Sequence, residues 1–320
     1  MFRSKQEWVD GQWNPITGCL NDNCDWCISK ERSGQFRGDI RLAIHNNDYK
    51  VEKDIYVLDE PMRSETGTVL TQPFGFKPTY HRYRLKNLDR LKGTKNLLVC
   101  GESEMFGPWV PDSYITEILE TCVAHPKNHY LFLTAYPERY YTLAKKNLLP
   151  KGEGFWYGST QTKGFITESH TYLDDSYHRF IAVTPILDAA VVTGNIDWVI
   201  VGPDLRRYGK SINPDPVWIE GLVEECRRQN IKVFTDKGAD KIVAEQFRQH
   251  DVPDILRTKE LGADRDRKLN DVCRGCKKKK RKTEMNAIGT RKLRGESFKT
   301  IMFLCDDCFL EMKRNYEVDI

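Results

Sequence analysis

What this chain lacks most plainly is a long apolar run. No stretch reaches the roughly 18 apolar residues that a membrane-spanning helix requires. Its first ten residues, MFRSKQEWVD, contain no apolar core of the secretory kind. No internal repeat is evident, which argues against solenoid and array architectures. These absences make a cytoplasmic protein with no membrane partner the expectation. Over 320 residues, 39% are apolar and 30% charged, a composition that can bury a sizeable core.

Cysteine, by contrast, is plentiful. Ten cysteines in a reducing compartment read as thiols, and clustered ones as metal ligands instead of disulfides. They fall into three sets. Cys19, Cys24 and Cys27 form one cluster and Cys273, Cys276, Cys305 and Cys308 another, while Cys100, Cys122 and Cys226 stand alone in apolar or helical contexts and read as buried small hydrophobes. Charge is also uneven. Between Arg265 and Arg314 there are 16 Lys/Arg against 7 Asp/Glu, a local +9, so a chain of net +4 carries −5 elsewhere. A basic tail on a mildly acidic body points to a polyanion, with nucleic acid the commonest.

The middle of the sequence alternates short apolar runs with helical patterns. The runs are NLLVCG (96–101), HYLFLT (129–134), FWYGST (155–160), HRFIAVT (178–184), DWVIVG (197–202) and IKVFTD (231–236), with a further strand expected in EWVDGQW (7–13). Helices are expected over 111–126, from Pro137, over 214–230 and over 239–250. This rhythm predicts an α/β fold, a partial (β/α)6-type barrel of parallel strands, with a doubly wound sheet as the alternative. In either case ligands gather at the C-terminal strand ends. The expected organisation is a barrel over 1–250 with an insertion at about 31–95, a linker at 251–272 and a small zinc-ribbon-like module at 273–320. A hairpin is expected in the insertion around residues 45–48 and 53–58.

GCLNDNCDWC, residues 18–27, supplies three thiols where a lone tetrahedral ion wants four ligands. Three thiolates can hold three corners of a cubane iron–sulfur cluster and leave one iron open. The alternative is a structural zinc completed by a distant His or Asp.

The C-x4-C-x2-C spacing with Trp26 before the last cysteine resembles the radical S-adenosylmethionine superfamily. This chain has one more residue in the first gap than the superfamily's usual pattern. Through EWVDGQWNPITGC, HRYRL, SEMFGPWVP, LTAYPERY, RFIAVTPIL and DWVIVGPD, residues 7–237 more closely resemble a largely phage- and prophage-encoded three-cysteine-motif family related to spore photoproduct lyase. Such members usually have a longer first gap. They also carry a basic pair where this chain has Ala135 and Tyr136, and a glutamate where it has Thr184. The resemblance implies a 4Fe-4S cluster on Cys19, Cys24 and Cys27. Its open iron would take S-adenosylmethionine, which reduction by a flavodoxin- or ferredoxin-type protein would cleave to a 5′-deoxyadenosyl radical. The resemblance also implies that VCGESEMF meets the cofactor's amine, with Gly101 permitting close backbone approach and Glu102, Ser103 and Glu104 as the acceptors; the alternative is an ordinary strand-to-helix turn with solvated acids.

Other polar strand ends are candidates for cofactor or substrate: Thr134, Ser159, Thr160, Gln161, Thr184 and Asp204. Each is also an ordinary cap or turn residue type. Arg139 could grip a carboxylate or pair with a neighbouring acid. His81, Arg82 and Arg84 could meet a phosphate or form a solvated basic face.

CRGC (273–276) and CDDC (305–308) are two C-x2-C knuckles, the pattern of a closed structural zinc site, with a second iron–sulfur cluster as the alternative. Between them runs KKKKRK: Lys277, Lys278, Lys279, Lys280, Arg281 and Lys282. A metal-stapled module of this charge suggests phosphate contacts to DNA or RNA. The competing reading is a solvated or localisation-type run. Phe298 and Phe303 could stack bases or pack in a core. The expected function is a radical S-adenosylmethionine-type enzyme modifying or repairing nucleic acid or a nucleotide. The alternatives are the same chemistry on a peptide or small metabolite, or a non-catalytic zinc protein that binds nucleic acid.

Overall fold

A computed structural model of the chain describes residues 6–21, 24, 27, 29–30, 49–64, 66–203, 214–236, 238–258, 270–281, 285–290 and 299–316. Trp26, the 45–48 turn, Asp204, Lys282 and Phe298 lie outside them. The chain divides into two units, residues 1–258 and 259–320.

The first unit is built on seven strands: β1 (Gly11–Trp13), β2 (Asn96–Val99), β3 (His129–Thr134), β4 (Phe155–Gln161), β5 (His178–Val183), β6 (Trp198–Val201) and β7 (Lys232–Thr235). All pair in parallel, and their order in the sheet is their order in the sequence. A doubly wound sheet reverses direction midway. This one does not, so the curled half-barrel stands. The strands are apolar on both sides because both sides are covered.

Three helices cover one face: α1 (Asp112–Ala124), α2 (Glu138–Lys145) and α3 (Pro216–Arg228). Helix α1 buries Ile115, Ile118, Leu119 and Cys122 at the expected spacing. Helix α3 is capped by Asp215, whose carboxylate accepts from Val217 N, and closes on Arg227 and Arg228. Cys100, Cys122 and Cys226 are all buried in this layer.

The strand–helix alternation fails at three places. After β4 and β5 two short parallel strands, Gly164–Ile166 and Ala190–Val192, pair with each other instead. The helix expected over 239–250 is reduced to two short turns, Ala239–Lys241 and Glu245–Phe247. Its backbone is claimed by other partners: Asp236 accepts from Gly238 N (2.8 Å) and Ala239 N (3.0 Å), and Thr235 N donates to Gln249 O (2.7 Å), drawing the chain back along β7. Residues 251–258, polar enough to read as linker, pack on the barrel. Val252 and Leu256 are buried, Asn96 Nδ2 donates to Leu256 O (2.5 Å), and Thr258 Oγ1 donates to Asp10 (3.1 Å).

The face of the sheet away from the helices carries an aromatic cluster. Trp8 lies 6.2 Å from Phe180 and 5.9 Å from Trp198, and Trp198 lies 6.4 Å from Phe234. The insertion forms a four-stranded sheet of Ile16–Thr17, Thr79–His81, Ile55–Leu58 and Lys50–Glu52, in that order. Its last two strands form a hairpin turned by Lys53 and Asp54, both at positive φ (49° and 65°).

The second unit holds two antiparallel pairs, Asn270–Val272 with Lys279–Arg281 and Met285–Thr290 with Lys299–Cys305, followed by α4 (Asp306–Tyr316). Leu304, Cys273 and Cys305 form its small core.

Candidate functional site

The first cysteine loop leaves the sheet through a glycine that the backbone requires. Gly18 takes φ +79°, and a Cβ there would stand 2.4 Å from the Lys77 carbonyl oxygen. The bend delivers Cys19, whose N–H donates to Phe76 O at 3.0 Å. Gly18 also bridges Ser103 in parallel, and Ser103 Oγ donates to Ile16 O at 2.8 Å. Gly101–Glu104 therefore runs beside the root of the cysteine loop.

Past that root, backbone N–H groups aim at sulfur: Asn21 N at Cys19 Sγ (3.2 Å) and Lys30 N at Cys27 Sγ (3.3 Å). Cys27 N closes a turn on Cys24 O at 3.2 Å. The Cys24 and Cys27 thiols share a hydrogen bond. With the N–H groups of Lys30 and Ser29, that bond lowers Cys27 to about 6, while Cys24 is pushed up. The charges of Cys19 and Glu104 also act on Cys24. Three half-buried thiols and one carboxylate thus share the C-terminal end of β1 and β2.

Glu104 is the most firmly held side chain here. Its carboxylate accepts from Thr134 Oγ1 (2.5 Å), Ala135 N (2.9 Å) and Phe106 N (3.3 Å). Burial pushes its pKa up to about 7, against the pull of those donors. Tyr136 borders the same region. Burial first, then Cys19 and Glu104, raises its hydroxyl, and its ring stands edge-on to Trp109 at 5.5 Å. Tyr136 drew attention in the sequence only as a departure from a basic pair.

Strand alternation separates the remaining candidates. Tyr157 packs on Phe132 and on Tyr140 of α2, so Ser159, two residues later, shares the helix side, with Thr134 as its register partner. Gly158 and Thr160 take the other side. Ser159 is fully buried, and its Oγ has no hydrogen-bond partner among the described residues. Thr160, Gln161 and Thr184 are half-buried at the ends of β4 and β5. Gly101 packs so tightly that a Cβ would lie 2.5 Å from Leu98, and Glu102 reaches Asn14 Nδ2 at 3.5 Å. Asp236, not singled out by the sequence reading, ends β7 with its pKa pushed up to about 6 by burial. The only sequence signal for it is a polar residue closing an apolar run.

The structure commits four other candidates to internal partners. Arg139 pairs with Asp112 and donates to Val110 O (2.9 Å). Arg82 pairs with Asp59 (2.8 Å) and Glu117 (3.1 Å), and Arg84 donates to Asn14 O (2.8 Å) and Thr71 O (2.7 Å). His81 is fully buried against Thr17 Oγ1 (2.8 Å), and burial drives its pKa well down, so it stays neutral. A phosphate contact by these three basic residues is not what the fold uses them for.

In the second unit, the sulfurs of Cys273, Cys276, Cys305 and Cys308 all lie within 4.8 Å of one another. Cys305 Sγ stands 3.7 Å from Cys273 Sγ and 3.8 Å from Cys276 Sγ. A tetrahedron with metal–sulfur bonds of about 2.3 Å has edges of about 3.8 Å, so the donor set fits one four-coordinate ion. Gly275 is needed at the knuckle, because a Cβ would stand 2.6 Å from Cys308 Sγ. The Cys305 N–H donates to Cys273 Sγ at 3.3 Å and, with other backbone N–H groups, lowers that thiol to about 6. Among the described residues, no helix is long and apolar enough to cross a membrane.

A family model described as a protein of unknown function, DUF5131, matches residues 3–301. No curated protein matches. Among solved structures, a spore photoproduct lyase double mutant with bound AdoMet and dinucleoside spore photoproduct is similar over 98% of this chain and 74% of that one, at 10% identity and a TM-score of 0.37. A likeness that distant carries nothing about chemistry or substrate.

Proposed function

The chain belongs to the DUF5131 family, and we propose that it is a radical S-adenosylmethionine-type enzyme acting on a nucleic acid or nucleotide. What supports the reading is the set of three half-buried thiols, Cys19, Cys24 and Cys27, on the loop after β1, with Cys24 within electrostatic reach of Cys19, Cys27 and the buried Glu104. Three sulfur donors suit a 4Fe-4S cluster with one iron left open. When bound, such a cluster supplies the electron that cleaves S-adenosylmethionine to methionine and a 5′-deoxyadenosyl radical.

The chain's own residues do the rest. Glu104 accepts three hydrogen bonds, and a carboxylate has about four lone-pair sites, so one remains for the cofactor's ammonium. Ser103 is tied to backbone carbonyls and positions the segment. Thr134 holds Glu104 from behind. Thr160 and Thr184 are the half-buried hydroxyls open to cofactor or substrate. The aromatic cluster of Trp8, Phe180, Trp198 and Phe234 fills the inner face of the sheet toward the N-terminal strand ends. The reductant is a flavodoxin- or ferredoxin-type protein. In the module at 273–320, a zinc ion on the four cysteines staples the fold, and the run Lys277–Lys282 contacts phosphates.

The test is anaerobic purification. We expect a brown protein whose iron–sulfur spectrum shifts on adding S-adenosylmethionine, and 5′-deoxyadenosine on adding dithionite. Cys24→Ala should abolish cleavage and leave salt-dependent nucleic-acid binding intact. A colourless protein holding two zinc ions and forming no 5′-deoxyadenosine refutes the enzyme. It would instead leave a zinc protein that binds nucleic acid.

A further inference from the structure

The four-stranded sheet of the insertion has two unlike faces. Ile55 and Val57 are buried in the core that includes α1. Tyr56, between them, must point the other way. There it stacks on Phe74, centroids 3.9 Å apart and planes 16° from parallel. Tyr49 closes on Phe74 edge-on at 4.9 Å and is itself 37% exposed. Val51, the register partner of Tyr56, is 55% exposed. The Lys77 ammonium stands 5.8 Å from the centre of the Tyr56 ring. An aromatic, partly exposed sheet face with a cation at its border is the arrangement that stacks unpaired bases and holds their phosphates.

Its position matters as much as its composition. Phe74 and Lys77 belong to the segment that anchors the cysteine loop: Phe76 O accepts the Cys19 N–H, and the Lys77 carbonyl lies against Gly18. Phe74 is anchored on the buried Leu58, Met62 and Leu70, so a base stacked on the exposed Tyr49 ring is held against the segment that also places Cys19.

We propose that Tyr49, Tyr56, Phe74 and Lys77 form a stacking platform for an unpaired nucleobase, which makes the substrate of the first site a single-stranded or locally unpaired nucleic acid. This inference rests on the proposed function for its link to catalysis, but the platform can be tested without iron or cofactor.

The full-length protein is irradiated with a short oligothymidylate carrying one 4-thiothymidine, and adducts are mapped by mass spectrometry. We expect adducts within residues 49–56 or 74–77, alongside any on the basic module. Tyr49→Ala and Lys77→Gln should lower the yield at this sheet at least about tenfold, Tyr49→Phe should preserve it, and module adducts should persist in all three. Adducts confined to residues 270–316, or an equal yield from Tyr49→Ala and the unaltered protein, overturn the platform. If Tyr49→Ala proves unfolded by circular dichroism, the Lys77→Gln and Tyr49→Phe pair decides alone. A protein that gives these adducts but never binds iron refutes the radical-enzyme reading and leaves the platform standing. One that binds a cluster but gives no adduct here refutes only the platform.

Discussion

Glu104 should make the barrel less stable as pH rises, and replacing it with glutamine should remove that trend. Burial raises its pKa from an ordinary 4.5 to about 7. Between those values the unfolded chain has released the proton and the folded chain has kept it. The unfolded state then binds fewer protons, so stability falls as pH rises. Below pH 4.5 the penalty is absent, and above pH 7 it is complete. The shift corresponds to about 3 kcal/mol, a large fraction of ordinary domain stability. Glu104→Gln keeps the shape and removes the charge. Its amide cannot match all three donors, so the absolute stability of the variant is not the readout. The readout is the slope between pH 5 and pH 8. All seven tryptophans precede residue 259, so their fluorescence during urea denaturation follows the barrel alone. Other buried acids such as Asp236 contribute equally to both proteins and cancel in the comparison. Equal slopes for the two proteins, or a steeper fall in stability for Glu104→Gln than for the native barrel, would refute the reasoning.

Two further perturbations test how the site is held. Gly18→Ala puts a Cβ against the Lys77 carbonyl at a left-handed position. The expected cost is about 2–4 kcal/mol, together with a fall in iron bound after anaerobic reconstitution; an unchanged urea midpoint with full iron content would contradict it. Arg82→Ala removes ion pairs to Asp59 and Glu117 and the guanidinium lying over the Tyr80 and Tyr114 rings. These contacts are partly exposed, so the expected loss is only about 1–2 kcal/mol. Proteolysis should then cut within residues 49–81 before the barrel strands, and uniform cutting would argue against a separately clamped insertion.

Much of the fold was legible because it repeats a local rule. Each of the seven parallel strands falls on a run visible in the sequence, β4 reaching one residue past its run, and α1 and α3 lie within the expected helical ranges. The register and order of the strands were not legible, because pairing is set between segments up to about a hundred residues apart. The segment 239–250 shows the limit. Its helical pattern is genuine, but Asp236, Thr235 and Gln249 capture the backbone first. The basic motif of His81, Arg82 and Arg84 fails as a phosphate site for a similar reason: each charged or polar tip finds an internal partner that no spacing reveals.

Cysteine spacing alone divided the clustered thiols of this chain into an open set of three, proposed for a cluster, and a set of four whose sulfurs the fold brings together. Local sequence can do that because thiols a few residues apart cannot avoid one another. Tertiary structure decided what faces the open set. It brought Glu104 and Tyr136 from β2 and β3 to the loop after β1, turned Thr134 and Ser159 toward the helices, and laid the Phe74–Lys77 turn under Cys19. Those neighbours come from strands set side by side by the sheet, and only the folded chain specifies which strand ends meet.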